Sequence, residues 1–135
     1  MARFGRFNLL LAFPGLAACA SVPSAESPLT GEWGGTHVGL RLSESGGMLD
    51  YDCAAGTIDE PLRPRRDGGF EASGMHTPGW GGPERAGEVR PSYRTRYSGQ
   101  VRGNRMTLQG RVENGVLLGP FSLMRGAEPI IMRCL

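Results

Sequence analysis

The stretch YRTRYSGQVRGNRMTLQGRV, Tyr93 to Val112, decides the fold class. Tyr93, Thr95, Tyr97 and Val101 alternate with Arg94, Arg96 and Gln100, and beyond Arg102-Gly103-Asn104 the residues Met106, Leu108 and Val112 alternate with Arg105, Gln109 and Arg111. A period of two with a Gly-Asn turn between the halves is the signature of a β-hairpin with one apolar and one polar face. The same period runs upstream. Val38, Leu40 and Leu42 alternate with His37, Gly39 and Arg41, in a strand expected to begin at Thr36, and Leu49, Tyr51 and Cys53 form the expected inward set of the next strand, with Asp50 and Asp52 on its other face. A short piece, Thr57 to Asp59, stops before Pro61, and Phe70 and Ala72 lead a strand reaching Met75 and His76. Downstream, Glu113-Asn114-Gly115 and Arg125-Gly126-Ala127 are turn signals that separate Val116–Met124 from an expected last strand, Ile130–Cys134. The chain has 135 residues with 22 Gly and 10 Pro spread as punctuation, which excludes long helical bundles and collagen and leaves room for one domain. The expectation is an all-β antiparallel up-and-down meander of seven or eight strands, closed as a barrel in preference to a two-sheet sandwich, because closure removes exposed strand edges.

The amino terminus reads differently. Arg3 and Arg6 precede an apolar stretch, Leu9 to Leu16, too short to cross a bilayer and laid out as a signal peptide. It ends in Leu16-Ala17-Ala18-Cys19, which resembles the lipobox of bacterial lipoprotein precursors. That resemblance implies a diacylglycerol on Cys19, cleavage before it and acylation of the new amino terminus, giving more than one acyl chain and hence a stable membrane anchor. Ala20, and not an Asp, follows the cysteine, a pattern that in enteric lipoproteins goes with release to the outer membrane. The expected organisation is therefore a signal peptide over 1–18, a lipidated Ser/Pro/Ala tether over 19–28 and a barrel over 29–135, in an outer-membrane lipoprotein facing the periplasm.

With the leader removed, 13 arginines stand against 13 acids, and the chain has no lysine. A neutral mature domain gives no argument for nucleic-acid binding. The charges are segregated, however. Glu26 to Glu60 holds seven acids and only Arg41, whereas Arg85 to Arg111 holds seven arginines and only Glu88. These are either two solvated faces that pair loosely with each other or a basic stripe for an anionic ligand or lipid headgroup. Once Cys19 carries lipid, Cys53 and Cys134 remain as an even pair in an oxidising compartment, and a disulfide between them is expected.

At the domain start, Gly31-Glu32-Trp33 resembles the Gly-x-Trp signature of the first lipocalin strand, where the Trp closes the barrel base. Leu29-Thr30-Gly31-Glu32-Trp33 is similar to the opening of the small periplasmic inhibitors of bacterial metalloproteases, also eight-stranded barrels. The first resemblance implies an apolar-ligand carrier, and the second a protease inhibitor acting through its amino-terminal tail. Cys134 departs from the inhibitor pattern, whose disulfide lies early in the chain.

Catalytic motifs are not assembled. There is no Gly-x-Ser-x-Gly elbow, and Gly79 to Gly82 lacks the Lys-Ser/Thr ending of a P-loop. His37 and His76, with Asp50, Asp52 or Asp59, are the residues from which a metal site for a hydrolase would have to be built, though their spacing matches no zinc signature. The irregular segment Thr77 to Arg90 places Trp80 among glycines and prolines, so it is either a recognition loop or a plug for one barrel end. Trp80, Arg94, Arg96 and Tyr97 are the candidate binding residues. The leading expectation is a non-catalytic binding or accessory module, needing no cofactor, held to the membrane through Cys19 and engaging an envelope protein. The alternative is a carrier whose calyx is lined by Leu40, Tyr51, Phe70, Tyr97 and Leu108. A protease inhibitor and a metal-dependent hydrolase complete the set.

Overall fold

The computed structural model describes residues 11–12, 14–15, 27–79 and 86–134. Eight strands follow one another: β1 (Gly31–Gly35), β2 (Val38–Ser43), β3 (Gly46–Tyr51), β4 (Ala54–Ile58), β5 (Gly69–Pro78), β6 (Tyr93–Arg102), β7 (Arg105–Val112) and β8 (Leu117–Arg125). Each pairs antiparallel with its sequence neighbour, and β8 closes on β1 through Trp33 opposite Arg125 and Gly34 opposite Met124. The all-β up-and-down barrel expected from the alternation is thus the fold. On β7 the period of two is complete, with Met106, Leu108, Gly110 and Val112 inward and buried and Arg105, Thr107, Gln109 and Arg111 exposed. The barrel is apolar inside and polar outside, the reverse of a barrel that spans a membrane.

Side chains fill the interior. Trp33, Leu40, Phe70, Tyr97 and Leu108 belong to one buried cluster, each at most 1% exposed. Inward glycines make room for the large rings: a Cβ at Gly99 would come within 2.8 Å of Phe70 Cζ, and one at Gly74 within 2.9 Å of Tyr97 Cε2. Aromatic rings thereby cover the positions where strands lack side chains, a recurrent way of stabilising strand glycines. β8 carries one extra residue between Leu118 and Phe121, opposite Leu108 and Gly110 of β7. This bulge turns both Leu118 and Phe121 toward the core and gives Pro120 a place where no ladder bond is lost.

The two ends differ. At the base, where the chain enters, Leu62 is fully buried and its carbonyl accepts from Leu29 N at 2.8 Å. Arg125 lies over the Trp33 ring, 4.4 Å from its centroid, and its Nη1 donates to Thr30 O at 3.0 Å, so a cation–π contact and a hydrogen bond seal this end. At the other end, the rim, lie the β1–β2 turn, the Asp52-Cys53 turn, the β5–β6 loop and the β7–β8 turn. All eight strands, the buried core and the disulfide fall between Leu29 and Cys134, so among the described residues every strand pairing and core contact lies within this segment.

Three details depart from the sequence reading. Ile130–Cys134 is not a strand: after β8 the tail climbs the outside of β1 and β2, making one parallel bridge between Thr36 and Ile130. A closed barrel offers it no free edge, and it lies over Gly34 and Gly39, where a Cβ would come 2.1 Å from Ala127 O and 3.0 Å from Pro129 Cβ. Thr36 and His37 form a turn and do not open a strand, because Gly31–Gly35 is a strand of its own. Cys53 is no inward strand residue either, since with φ 55° it sits in the tight turn after Tyr51.

Candidate functional site

The rim is where chemistry-bearing residues meet. His37, with φ 73°, and Cys53 both adopt the left-handed conformation that non-glycine residues rarely enter, which closes their turns tightly and brings them to the tail. His37 Nδ1 donates to Asp52 Oδ2, while Asp52 Oδ1 accepts from the Met132 amide at 2.7 Å. His37 N donates to Ile130 O at 2.7 Å and Cys53 N to Met132 O at 3.2 Å. Cys53 is disulfide-bonded to Cys134, with a Cα–Cα distance of 5.0 Å. The His–Asp pair considered for metal ligation therefore clasps the tail, which becomes a covalently tied strap.

The other members of that set do not join it. Asp50 is exposed on the outer face of β3, and His76 lies inside the barrel. Among the described residues no three His, Cys, Asp or Glu side chains converge as a metal would require. His76 packs against Tyr51, ring centroids 5.8 Å apart and planes at 60°, and Tyr51 in turn against Phe121 at 5.5 Å. Tyr97 Oη donates to Met75 O at 3.1 Å, whereas Tyr51 Oη and His76 Nδ1 have no hydrogen-bond partner among the described residues. Burial pushes the Tyr51 phenol far above its usual range, with the adjacent Tyr97 adding to the shift, and burial raises Tyr97 as well. Burial lowers His76, which keeps the imidazole neutral at neutral pH.

Between the strap and the β3–β4 hairpin runs a groove of about 660 Å³ lined by Asp50, Ala55, Thr77, Arg90 and Met132 among others. The β5–β6 loop leaves the barrel beside it, tied down where Gly79 N donates to Cys53 O at 2.7 Å. Trp80, the next residue, lies outside the described residues, as do Cys19, most of the leader and the tether up to Glu26. Exposed apolar side chains gather at this end: Val89, Val116, Leu117, Ile130 and Met132. Of the remaining candidates, Arg94 and Arg96 stand on the outer face of β6, but Tyr97 is not beside them in space, being fully buried. The strap and its groove escaped the sequence reading. The one signal for them was the bare outward pair Gly34 and Gly39, directly opposite each other on β1 and β2.

The geometry defines a class: a closed eight-stranded up-and-down barrel with a filled interior, an aromatic-and-arginine base and a disulfide-tied outer strap forming a groove at the rim. No protein-family model matches the chain, and no curated protein or solved structure matches it.

Proposed function

We propose that the protein is a lipid-anchored cell-envelope protein of the outer membrane whose barrel is a non-catalytic binding module, engaging another envelope protein through the rim groove. The observation that carries this reading is the filled interior. Leu40, Tyr51, Phe70, Tyr97 and Leu108, the residues that a calyx would expose to its ligand, are at most 6% exposed and pack against one another. A barrel with no open lumen at these side chains works through its outside. The groove supplies a concave surface with the charges of Asp50 and Arg90 beside apolar Ala55 and Met132, the mixture of apolar floor and polar rim that protein partners use. The anchor fits the same geometry. The chain enters at the base, so a lipid on Cys19, ten residues before Leu29, keeps the barrel near the bilayer through a tether reaching about 30 Å and leaves the rim groove, beside β3 and β4, open to a partner.

Two experiments test this reading. Metabolic labelling with a fatty-acid analogue is expected to mark the protein and to be abolished by Cys19→Ser; label that survives the substitution defeats the anchor. A photo-crosslinking residue at Met132 or Thr77 in intact cells is expected to capture one envelope protein that the same residue at Glu44, on the opposite end, does not capture. Equal capture from both ends removes the rim from the proposal.

A further inference from the structure

The barrel turns the segregated charges of the sequence into opposite walls. Asp50 lies on β3, with Glu44 and Asp52 in the turns at its two ends, whereas Arg94, Arg96, Arg102, Arg105 and Arg111 lie on β6 and β7, and β3 and β7 are four strands apart in a ring of eight. Glu44, Asp50 and Asp52 are therefore too far away to neutralise these arginines, whereas Asp59 and Glu113 line a groove with Arg94, Arg96 and Arg111. On the acidic side Arg41 faces Glu32 at 3.6 Å. Among the described residues Arg96 is the one arginine of β6 and β7 with an ion pair, to Glu71 of β5 at 3.0 Å. Arg102, Arg105 and Arg111 make no ion pair among the described residues.

The register sharpens this. Arg96 is directly opposite Arg111, and Arg102 directly opposite Arg105, so one hairpin carries two cross-strand pairs of like charge, an unfavourable arrangement that Glu71 relieves at Arg96 and that no carboxylate among the described residues relieves at Arg102 and Arg105. The outward face of β7 holds Arg105, Thr107, Gln109 and Arg111 without an acid, and the outward residues of β8, Leu117, Pro120, Ser122 and Met124, carry no charge. The β8 bulge opens a groove of about 410 Å³ here, lined by Glu71, Arg96, Gln109, Arg111, Leu117 and Pro120 among others, with the Glu71 carboxylate occupied by Arg96. Gln109 Nε2 already donates to Ser98 Oγ at 3.3 Å, which holds both side chains at the groove.

We propose that the outward face of β6–β8 is a contact surface for anionic membrane, in which Arg102 and Arg105, in register at one end of the hairpin, and Arg111 receive lipid phosphates while Leu117 and Met124 lie against the apolar edge of the interface. Two guanidinium groups in register suit a phosphate with several acceptor oxygens. Arginines flanked by exposed aliphatic side chains, Leu117 at 67% and Met124 at 50%, match the layered chemistry of a headgroup region. No aromatic side chain stands on this face, so it lacks the platforms on which single-stranded nucleic acid stacks. The surface goes beyond the rim reading and does not require the acyl chains.

The test uses residues 27–135, which contain the whole barrel and no lipidation site, in co-flotation with phosphatidylcholine vesicles made with and without phosphatidylglycerol. Binding is expected only to the anionic vesicles and is expected to weaken as salt is raised. Arg111→Gln is expected to weaken it about fivefold and Arg105→Gln with Arg111→Gln about 25-fold, while Arg41→Gln on the far wall leaves it unchanged. All these positions are exposed, and an unaltered far-ultraviolet spectrum confirms that each variant is folded. Equal binding to neutral vesicles, indifference to the arginine substitutions, competition by millimolar inorganic phosphate that identifies a site for the free anion, or tighter binding to a single-stranded oligonucleotide than to the vesicles overturns the proposal. Because the tested segment has no acyl group, its failure leaves the anchor untouched, and failure of the fatty-acid label leaves this surface untouched.

Discussion

Replacing both Cys53 and Cys134 by Ser tests how the barrel depends on its strap. The two cysteines are 81 residues apart, so the bond closes five of the eight strands, β4 to β8, into a loop. Loop-closure entropy for that length is worth about 4.5 kcal/mol, and this is a ceiling because residual structure in the unfolded chain reduces it. What remains to hold the strap is slight. Four hydrogen bonds involving the Ile130 and Met132 backbones tie it to Gly35, His37, Asp52 and Cys53, but the Ile130 and Met132 side chains are 67% and 64% exposed and bury little apolar surface. The double variant is expected to keep the barrel, since none of its strand ladders involves the tail, yet to lose about 3 to 4.5 kcal/mol in urea unfolding. Its m-value is expected to rise, because an uncrosslinked unfolded chain exposes more surface. Hydrogen exchange supplies the local readout: the His37, Cys53 and Met132 amides are expected to lose protection while those of β6 and β7 keep theirs. A loss below about 1 kcal/mol, or undiminished protection of the three amides, refutes the reasoning, because the strap would then be held by something other than its disulfide.

His76 predicts an acid dependence. Burial depresses its folded-state pKa below the unfolded value, so the unfolded chain binds the extra proton first: stability is full above about pH 6.5 and falls as pH drops below it, by at most about 1.4 kcal/mol per pH unit, and comparison of urea midpoints for wild type and His76→Phe is expected to show the slope attributable to this group vanish in the variant. Arg125→Ala removes the cation covering Trp33 and a hydrogen bond to Thr30 O, and is expected to cost about 1 to 2 kcal/mol with a red shift in tryptophan emission as water reaches the base; an unchanged spectrum places no weight on the contact.

The sheet was legible because burial selects residues with the period that the sheet imposes. Tyr97, Met106, Leu108 and Val112 had one face available to them, and each is inward. Pairing of Cys53 with Cys134 was legible by elimination once Cys19 was assigned elsewhere. The strap was not, since Ile130, Met132 and Cys134 alternate with Ile131 and Arg133 much as a strand does, and only closure of β8 onto β1 denies them a ladder. Turn identity at His37 and Cys53 was hidden for a different reason. Both occupy positive φ, where glycine or asparagine is the usual signal, and both are retained at that conformation by what they bind, Asp52 and Cys134. Local propensity therefore pointed away from the two turns that build the rim groove.

These two residues also explain why the histidine and the aspartate looked chemical. A His within reach of a carboxylate is the raw material of a metal site or a general base, but the other oxygen of Asp52 is committed to the Met132 amide and the backbone N–H of His37 to Ile130. These interactions fix the strap, and the one other histidine is buried inside a packed aromatic cluster, its Nδ1 without a hydrogen-bond partner among the described residues. On the outside Arg102, Arg105 and Arg111 make no ion pair among the described residues, and Arg102 and Arg105 are held in like-charge register by the hairpin. Binding an anion there would require no rearrangement of the barrel, because the donors are already aligned and the penalty of their alignment is already present in the unliganded fold.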